Sequence, residues 1–215
     1  MTTETTPRKR AIVFIDGNNL HRGLKACFWI ERLHLEPFCQ QLVVPHQLTK
    51  IYYADSDYIK ERGEEAFSQQ QAYFSDVRKI GDILEFRRGF YPKDRWKDEK
   101  RVDVHLATDL VDLAHLNAYD VAYLVSGDTD LEPAVAAAKR VGKTVINAYL
   151  DEKFERDGKV IERKSYLRYP CGNFVRITHS MASKYAWVYT PPVDILLDEK
   201  GKPAPVESAG DDASQ

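Results

Sequence analysis

The chain has 215 residues, of which 43% are hydrophobic and 30% are charged. This length favours one globular unit with a tail, and the apolar fraction can form a core without support from disulfides or metals. The longest apolar runs have about five residues, which excludes a membrane-spanning helix because such a helix needs about 20.

The cysteines and the N-terminus indicate a reducing, cytoplasmic environment. Cys27, Cys39 and Cys171 are odd in number and show no CxxC spacing and no cysteine-histidine pairing. The first ten residues are rich in Thr and then in bases, and they lack the apolar segment and cleavage site of a secretory signal. We therefore expect reduced thiols and a cytoplasmic protein.

The formal net charge of -2 is the sum of two unlike parts. From Pro191 onward, six acids and two bases carry a charge of -4, so residues 1–190 carry +2. The Pro, Gly, Ala, Asp and Ser content of residues 191–215 predicts a disordered acidic tail. We also expect residues 1–8 to be flexible and residues 179–190 to form a packed C-terminal extension.

The first predicted element is a strand over residues 11–15. This run is apolar and rich in β-branched residues, and it ends at Asp16 and Gly17. A continuous apolar run of this length is typical of a strand that is buried on both faces of a parallel sheet.

Strands and helices alternate along the rest of the chain. Further strands are predicted at 50–53, 83–86, 121–125, 144–148 and 173–177, and helices at 64–80, 102–116 and 131–141. Thr129 with Glu132 has the form of a capping box before the last of these helices, and Gly142 ends it. Residues 151–168 are interpreted as a charged excursion or hairpin, and residues 185–189 as an edge strand or a packed extension. This order predicts an α/β fold with a mainly parallel sheet whose strands all end at one edge.

Four acids are expected at that edge. Asp16 directly follows the first strand, and Asp128 and Asp130 follow the strand at 121–125. Asp103 lies in the first turn of the helix at 102–116, on a face that we expect to point inward. Sites on such sheets lie where the strands end, so these acids form a candidate site.

Converging carboxylates favour a bound cation. Two like charges a few ångströms apart repel each other by about 4 kcal/mol at an effective dielectric constant near 20. Oxygen ligands without histidine or cysteine suit Mg²⁺ or Mn²⁺ rather than zinc. Because Mg²⁺ commonly binds substrate phosphates as well, the pattern indicates phosphate chemistry.

Each acid also has a purely structural interpretation. Asp16 with Gly17 is a common turn, and Asp103 or Asp130 is favourable in the first turn of a helix. Three separate segments that each bring an acid to the same edge together favour a functional site.

Three motifs then carry a resemblance to a known family. They are Ile15-Asp16-Gly17-Asn18-Asn19-Leu20, Lys100-Arg101-Val102-Asp103-Val104 followed by Leu106-Ala107-Thr108-Asp109, and Leu124-Val125-Ser126-Gly127-Asp128-Thr129-Asp130-Leu131 followed by Gly142-Lys143. In their order and spacing they resemble the NYN domain of LabA-like proteins, which belongs to the PIN-like metal-dependent nucleases. The resemblance covers about residues 9–178 and implies a three-layer PIN-like, Rossmannoid domain with helices on both faces of the sheet.

The resemblance also implies roles for individual residues. Asp16, Asp103, Asp128 and Asp130 would bind Mg²⁺ or Mn²⁺, and Asn19 would orient the substrate or a water molecule. The supporting residues are Asn18, Lys100, Asp109, Ser126 and Thr129. Two positions depart from the family pattern: Arg101 often has Gly in its place, and Asn173 often has an acid.

A basic and aromatic segment precedes Asp103. Residues 86–101 contain seven bases, three acids and four aromatic residues. Phosphates are expected to contact Arg87, Arg88, Lys93, Arg95 or Lys97, and bases to stack on Phe90, Tyr91 or Trp96. The alternative interpretation is a solvated loop whose aromatic residues pack on the domain.

The sequence therefore predicts a metal-dependent nuclease that hydrolyses phosphodiester bonds in single-stranded or structured RNA, most simply as an endoribonuclease. The main alternative is a catalytically silent nucleic-acid-binding module of the same fold. A haloacid-dehalogenase-type phosphatase would need an acid where Asn18 stands, and a receiver domain would need an acid directly after residues 83–86. The preference for RNA over DNA, endo or exo action, the number of metals and self-association stay open.

Overall fold

The fold is described from a computed structural model. The structure describes residues 7–58, 60, 63–92, 100–150, 153–156, 159–162 and 165–188. The tail predicted from Pro191 onward and the first six residues of the predicted flexible N-terminus lie outside this range.

A six-stranded parallel sheet forms the centre of the described chain. Its strands, in chain order, are β1 (Arg10–Asp16), β3 (Gln47–Ser56), β4 (Leu84–Gly89), β5 (Val121–Val125), β6 (Thr144–Tyr149) and β9 (Asn173–Arg176). They lie in the order β4-β3-β1-β5-β6-β9, and every neighbouring pair is parallel. The predicted α/β fold with a mainly parallel sheet is confirmed.

Strand β1 lies in the middle of the sheet because it is apolar on both faces. Its residues from Ala11 to Asp16 are all buried, and it pairs with β3 on one side and β5 on the other. Asp16 is level with Ala54, and Ile15 is level with Val125. The carboxyl ends of the three central strands therefore meet at one edge.

Two sets of helices cover the two faces of the sheet. The helices are α1 (Gly17–Phe28), α2 (Leu35–Leu42), α3 (Glu64–Arg78), α4 (Val102–His115), α5 (Glu132–Arg140), α6 (Arg168–Cys171) and α7 (His179–Ser183). Ala11, Val13 and Ile15 pack in a core with α1, α2, α3 and α7, whereas Ile12 and Phe14 pack in a second core with α4, α5 and α6. Because successive strand residues point to opposite faces, this alternation gives three layers.

Helices α1 and α2 are additions to the elements expected from sequence. The first turn of α1 is Gly17, Asn18 and Asn19, which have low helix propensity. Its buried residues Leu20, Leu24 and Phe28 recur at helical spacing and pack in the core. Tertiary packing therefore stabilises α1 more than local propensity does.

Two small pairs of strands complete the described fold. β7 (Lys153–Arg156) and β8 (Lys159–Glu162) pair antiparallel, so the predicted hairpin is confirmed. β10 (Ala186–Trp187) pairs antiparallel with β2 (Arg32–Leu33) and places Trp187 against the core. In the part of the chain that the structure describes, no helix has the length and apolar character required to cross a bilayer.

Candidate active site

The carboxylate of Asp16 lies at the junction between β1 and α1. The residue is only 5% exposed, and its Oδ1 accepts a hydrogen bond of 2.9 Å from the backbone N–H of Asn19. Asp16 is therefore the N-cap of α1. A carboxylate at this position also interacts favourably with the positive end of the helix dipole.

The loop after β5 contacts the same carboxylate. The buried hydroxyl of Ser126 donates to Asp16 Oδ2 over 3.1 Å and accepts from the backbone N–H of Asp128 over 3.1 Å. Asn19 Oδ1 accepts from the backbone N–H of Gly127 over 3.2 Å. Two motifs that are about 110 residues apart are thus joined by specific hydrogen bonds.

Asp128 also shapes this loop. Its Oδ1 accepts from the backbone N–H of Asp130 over 2.9 Å and caps a short 3-10 turn formed by Thr129–Leu131. The predicted capping box was wrong, because the N-cap of α5 is Leu131, which makes no side-chain cap hydrogen bond, and Asp128 caps only the 3-10 turn before that helix. Asp128 is half-buried, whereas Thr129 and Asp130 are exposed.

A buried asparagine behind the loop was missed by the sequence analysis. Asn147 of β6 is fully buried, and its Nδ2 donates to the carbonyls of Leu124 and Ser126 over 3.1 and 2.9 Å. Its Oδ1 accepts from Ser165 Oγ over 2.7 Å. The available signal was an amide inside an otherwise apolar strand, because such a group must find hydrogen-bond partners when it is buried.

Asp103 begins α4 near the same edge of the sheet. Backbone hydrogen bonds of 3.2 and 3.0 Å join Phe90 to Lys100 just before the helix. Gly89 makes this approach possible, since a Cβ there would lie 2.7 Å from the carbonyl oxygen of Lys100 and closer still to Ser56 Oγ. Asp103 itself is half-buried beside Val102, which is the residue that points into the core.

Asn18 connects the first turn of α1 to the chain after β4. It is 9% exposed, and its Nδ2 lies 3.5 Å from the hydroxyl oxygen of Tyr91. The contact joins the first motif to the basic and aromatic segment after β4, and the supporting role of Asn18 stays a prediction.

The predicted metal ligands, all within the described residues, do not form a compact cluster of three acids. Among the described residues, no three histidine, cysteine, aspartate or glutamate side chains are grouped so that they could hold a metal ion. The donor set around Asp16 and Asp128 consists of carboxylate and hydroxyl oxygens. Such a set suits a hard ion that keeps most of its waters and uses one or two carboxylates, and it does not form a closed cage.

Two arginines of the segment 86–101, Arg87 and Arg88, make internal ion pairs. Arg87 donates to both carboxylate oxygens of Asp109 over 2.8 and 3.2 Å, and these hydrogen bonds raise the pKa of Arg87 above its ordinary value. Arg88 donates to Asp57 over 2.8 Å. Lys93, Arg95, Trp96 and Lys97 lie outside the described residues. Asp109 thus orients Arg87, and its supporting role in the site stays a prediction.

A second buried acid at this edge was also missed. Asp55 near the end of β3 is 1% exposed and forms an ion pair of 3.3 Å with Arg32, whose side chain is 7% exposed. Burial raises the pKa of Tyr53 well above its usual value, and its hydroxyl donates to Asp55 over 2.7 Å. The signal was an acid two residues beyond the predicted strand at 50–53. Its partner, Arg32, is 23 residues away and could not be identified from local pattern.

Comparisons with known proteins agree with this architecture. The structure is similar to the crystal structure of a protein of unknown function from Vibrio parahaemolyticus, with a TM-score of 0.59 and 17% sequence identity. The match covers 82% of this chain and 97% of that chain, and at this identity it shows the fold alone. A comparison with curated proteins finds no match.

The family model described as the NYN domain matches residues 10–168, which is more than half of the chain. The matched range contains β1, the start of α4 and the loop after β5, the three segments that carry the acids. NYN domains belong to the PIN-like nuclease superfamily, whose members generally use divalent metals. The chain therefore belongs to the NYN domain family.

Proposed function

We propose that this protein is a metal-dependent ribonuclease that hydrolyses phosphodiester bonds at the edge of the sheet where β1 and β5 end. The proposal rests above all on one observation: Ser126 Oγ joins the carboxylate of Asp16 to the backbone of Asp128. That hydroxyl orients an acid of one motif against the loop of another.

Asp16 and Asp128, together with Asp103 and Asp130, would hold Mg²⁺ or Mn²⁺. When bound, such an ion lowers the pKa of a coordinated water and neutralises charge on phosphate oxygens. The protein contributes by holding the Asp16 carboxylate in one orientation through the Asn19 N–H and Ser126 hydroxyl. Preorganised groups of this kind need little rearrangement during the reaction.

The remaining site residues would orient the substrate. Asn19 is held by its Oδ1 at the backbone of Gly127, which directs its amide group toward the loop after β5. We propose that Asn19 orients a phosphate oxygen or the attacking water. Asn147 would act as a positioning residue, because it fixes the carbonyl of Ser126 from behind.

RNA would approach along the basic segment. Arg95, Lys93, Lys97 and Trp96 are the proposed phosphate and base contacts, together with Arg87 and Arg88. Phosphates that contact Arg87 or Arg88 would have to compete with Asp109 or Asp57 for the same guanidinium groups. We therefore expect these two arginines to contribute less to RNA affinity than the lysines and arginine at 93–97.

Cleavage assays test the proposal. Labelled single-stranded RNA, structured RNA and single-stranded DNA are incubated with Mg²⁺ or Mn²⁺ and either the wild type, Asp16→Asn or Asp128→Asn. We expect metal-dependent cleavage of RNA by the wild type and a loss of about 100-fold or more in each variant, because each tenfold corresponds to only about 1.36 kcal/mol and metal ligation contributes several.

Asp112→Asn is the matched control, since Asp112 is an exposed acid on α4 that belongs to none of the proposed ligands. It should leave cleavage unchanged. Cleavage that survives EDTA, or that survives both Asp16→Asn and Asp128→Asn, would contradict the proposal.

A catalytically silent nucleic-acid-binding module of the same fold is the second candidate. The observation that favours it is the lack, within the described residues, of a group of three metal-ligating side chains. This candidate predicts that the wild type and both variants bind RNA equally and that none of them cleaves it.

We extend the proposal to two finer assignments. The run from Ser126 to Asp130 supports placement in the LabA-like subgroup of the family. Cys27, Cys39 and Cys171 are all free thiols, and this supports a cytoplasmic site of action.

A further inference from the structure

A pocket of about 440 Å³ lies along α1, the helix that Asp16 caps, and is not used by the proposed chemistry. It is bounded by α1, the beginning of α3, the paired strands β2 and β10, and the residues that follow β3. The residues that matter for its chemistry are His21, Trp29, Glu31, Arg32, Tyr58 and Val188. The volume is sufficient for a planar ring system, since small-molecule pockets usually measure about 300–1,000 Å³.

The rim of this pocket presents exposed apolar surface. Trp29 is 90% exposed and Val188 is 76% exposed. Trp29 has a φ of 59°, and its backbone N–H bonds the carbonyl of Leu24 to cap α1. A positive φ is rare for so bulky a residue. The cap hydrogen bond therefore fixes the backbone position from which the indole ring projects into solvent. An open indole face at a concave site is well suited to stacking on a flat ligand.

The charges within the pocket are balanced. Arg32 pairs with Asp55 over 3.3 Å, and Lys25 pairs with Glu31 over 2.6 Å. Arg32 also donates to the Tyr58 hydroxyl over 3.2 Å. A neutral ring is therefore a better match than a phosphate, which would compete with two carboxylates for these cations.

His21 and Glu31 each provide a hydrogen-bond acceptor at the pocket. His21 Nδ1 lies 2.6 Å from the carbonyl oxygen of Glu31, and a carbonyl can only accept, so Nδ1 carries the hydrogen. Burial lowers the pKa of His21 to about 4, which leaves the ring neutral at pH 7 with Nε2 as an acceptor. Glu31 Oε2 lies 3.7 Å from that Nε2. Two neighbouring acceptors favour a ligand with an amino group.

Helix α1 connects the pocket to the proposed metal site, because Asp16 caps its first turn and His21 lies further along it. His21 is five residues beyond Asp16 at the start of α1, which places it about 7.5 Å further along the helix axis. A stacked strand advances about 3.4 Å per nucleotide, so this separation corresponds to roughly two nucleotides.

We propose that this pocket binds a nucleobase of the RNA substrate, stacked on Trp29, and that His21 and Glu31 select bases with an exocyclic amino group. Cytosine, adenine and guanine, which each carry an exocyclic amino group, would be accepted in preference to uracil. The proposal deepens the ribonuclease function and depends on it for the identity of the ligand, but base binding is measured without cleavage.

The test compares two RNA hexamers, oligocytidylate and oligouridylate, which differ at each base mainly by an amino group in place of a carbonyl. Their affinities for the full chain are measured in EDTA by fluorescence anisotropy at fixed salt. We expect the cytidylate hexamer to bind about threefold to tenfold more tightly, as one additional hydrogen bond supports.

Two variants assign the effect to the pocket. Trp29→Ala should weaken binding of the cytidylate hexamer about tenfold or more, since it removes a stacking surface. Because the Trp29 side chain is exposed, we expect the variant to fold like the wild type. Phe174→Ala, which removes an aromatic ring 58% exposed on β9, is the matched control and should leave the affinity unchanged.

His21→Phe should bring the ratio of the two affinities close to one, while His115→Phe at the end of α4 should leave that ratio unchanged.

The outcomes separate this inference from the proposed activity. Equal affinities for the two hexamers in the wild type, or binding that Trp29→Ala leaves unaltered, would overturn the pocket assignment even if the protein cleaves RNA. If the base preference and both variant effects are found but no condition gives cleavage, the nuclease function fails and the pocket assignment stands.

Discussion

Two buried acids, Asp16 and Asp55, lie at the ends of neighbouring strands and are held in different ways. Asp55 is held by the guanidinium of Arg32 and the hydroxyl of Tyr53. Asp16 is oriented by a backbone N–H and by the hydroxyl of Ser126, which are neutral donors. The ion pair balances the charge of Asp55 within the fold, whereas these contacts of Asp16 orient its carboxylate at the edge of the sheet.

Asp55→Asn should have the largest effect on stability. The variant leaves Arg32 buried without its counter-charge, so we expect the free energy of unfolding to fall by about 3–5 kcal/mol. Urea denaturation measures the change. Asp57→Asn, which removes the exposed pair with Arg88, is the control and should cost less than about 1 kcal/mol. Similar losses in the two variants would mean that burial of the Arg32 pair is not what matters.

The Arg32 region should also make stability depend on pH. Burial, and next the positive charge of Arg32, lower the pKa of His21 to about 4 in the folded protein, whereas its unfolded value is near 6.5. Because the unfolded chain binds the proton more tightly, this contribution to stability is present above pH 6.5 and is lost as the pH falls toward 4. The full pKa shift of His21 corresponds to a loss of about 3 kcal/mol in the free energy of unfolding.

Denaturation curves between pH 7 and pH 4 measure this effect. His21→Phe should flatten the dependence over that interval, while His115→Phe should not. An unchanged slope in His21→Phe would show that the histidine is not responsible.

Asn147→Ala tests whether Asn147 supports the loop that contacts Asp16. The change removes three hydrogen bonds and leaves buried carbonyls and the Ser165 hydroxyl unsatisfied, so we expect a loss of about 2 kcal/mol in stability. If Asn147 positions the loop after β5, the apparent affinity for Mn²⁺ should also fall. Ser165→Ala, which leaves both carbonyl contacts in place, should cost less stability and alter Mn²⁺ binding less. A stability loss with unchanged Mn²⁺ binding would restrict Asn147 to a structural role.

The smallest expected effect separates capping from charge at Asp16. Asparagine is about as good an N-cap as aspartate, so Asp16→Asn should change stability by less than about 0.5 kcal/mol, whereas Asp16→Ala should cost about 1 kcal/mol. Both variants should lose cleavage to a similar degree. A large loss of stability in Asp16→Asn would mean that the charge of Asp16 serves the fold, as that of Asp55 does.

Much of the fold could be predicted because it depends on local patterns of apolar and polar residues. The apolar run at 121–125 coincides with β5, and the helix predicted at 102–116 is α4, which ends one residue earlier. Helices α1 and α2 could not be predicted in this way, since α1 begins with Gly17, Asn18 and Asn19 and depends on Leu20, Leu24 and Phe28 for burial. The pairing of β2 with β10 joins residues more than 150 positions apart.

The candidate site, like the fold, could be predicted only in part from the sequence. The spacing of apolar runs and acids by itself determined that the chain forms a parallel sheet and that Asp16 and Asp128 reach its carboxyl edge, because strand burial and chain direction are local properties. Only the tertiary structure decided that Ser126 links Asp16 to Asp128, that Asn147 fixes their loop, that Arg87 pairs with Asp109, and that Arg32 balances Asp55. Those choices depend on distances between remote segments, and hydrogen bonds and ion pairs of about 3 Å are set by packing rather than by sequence spacing.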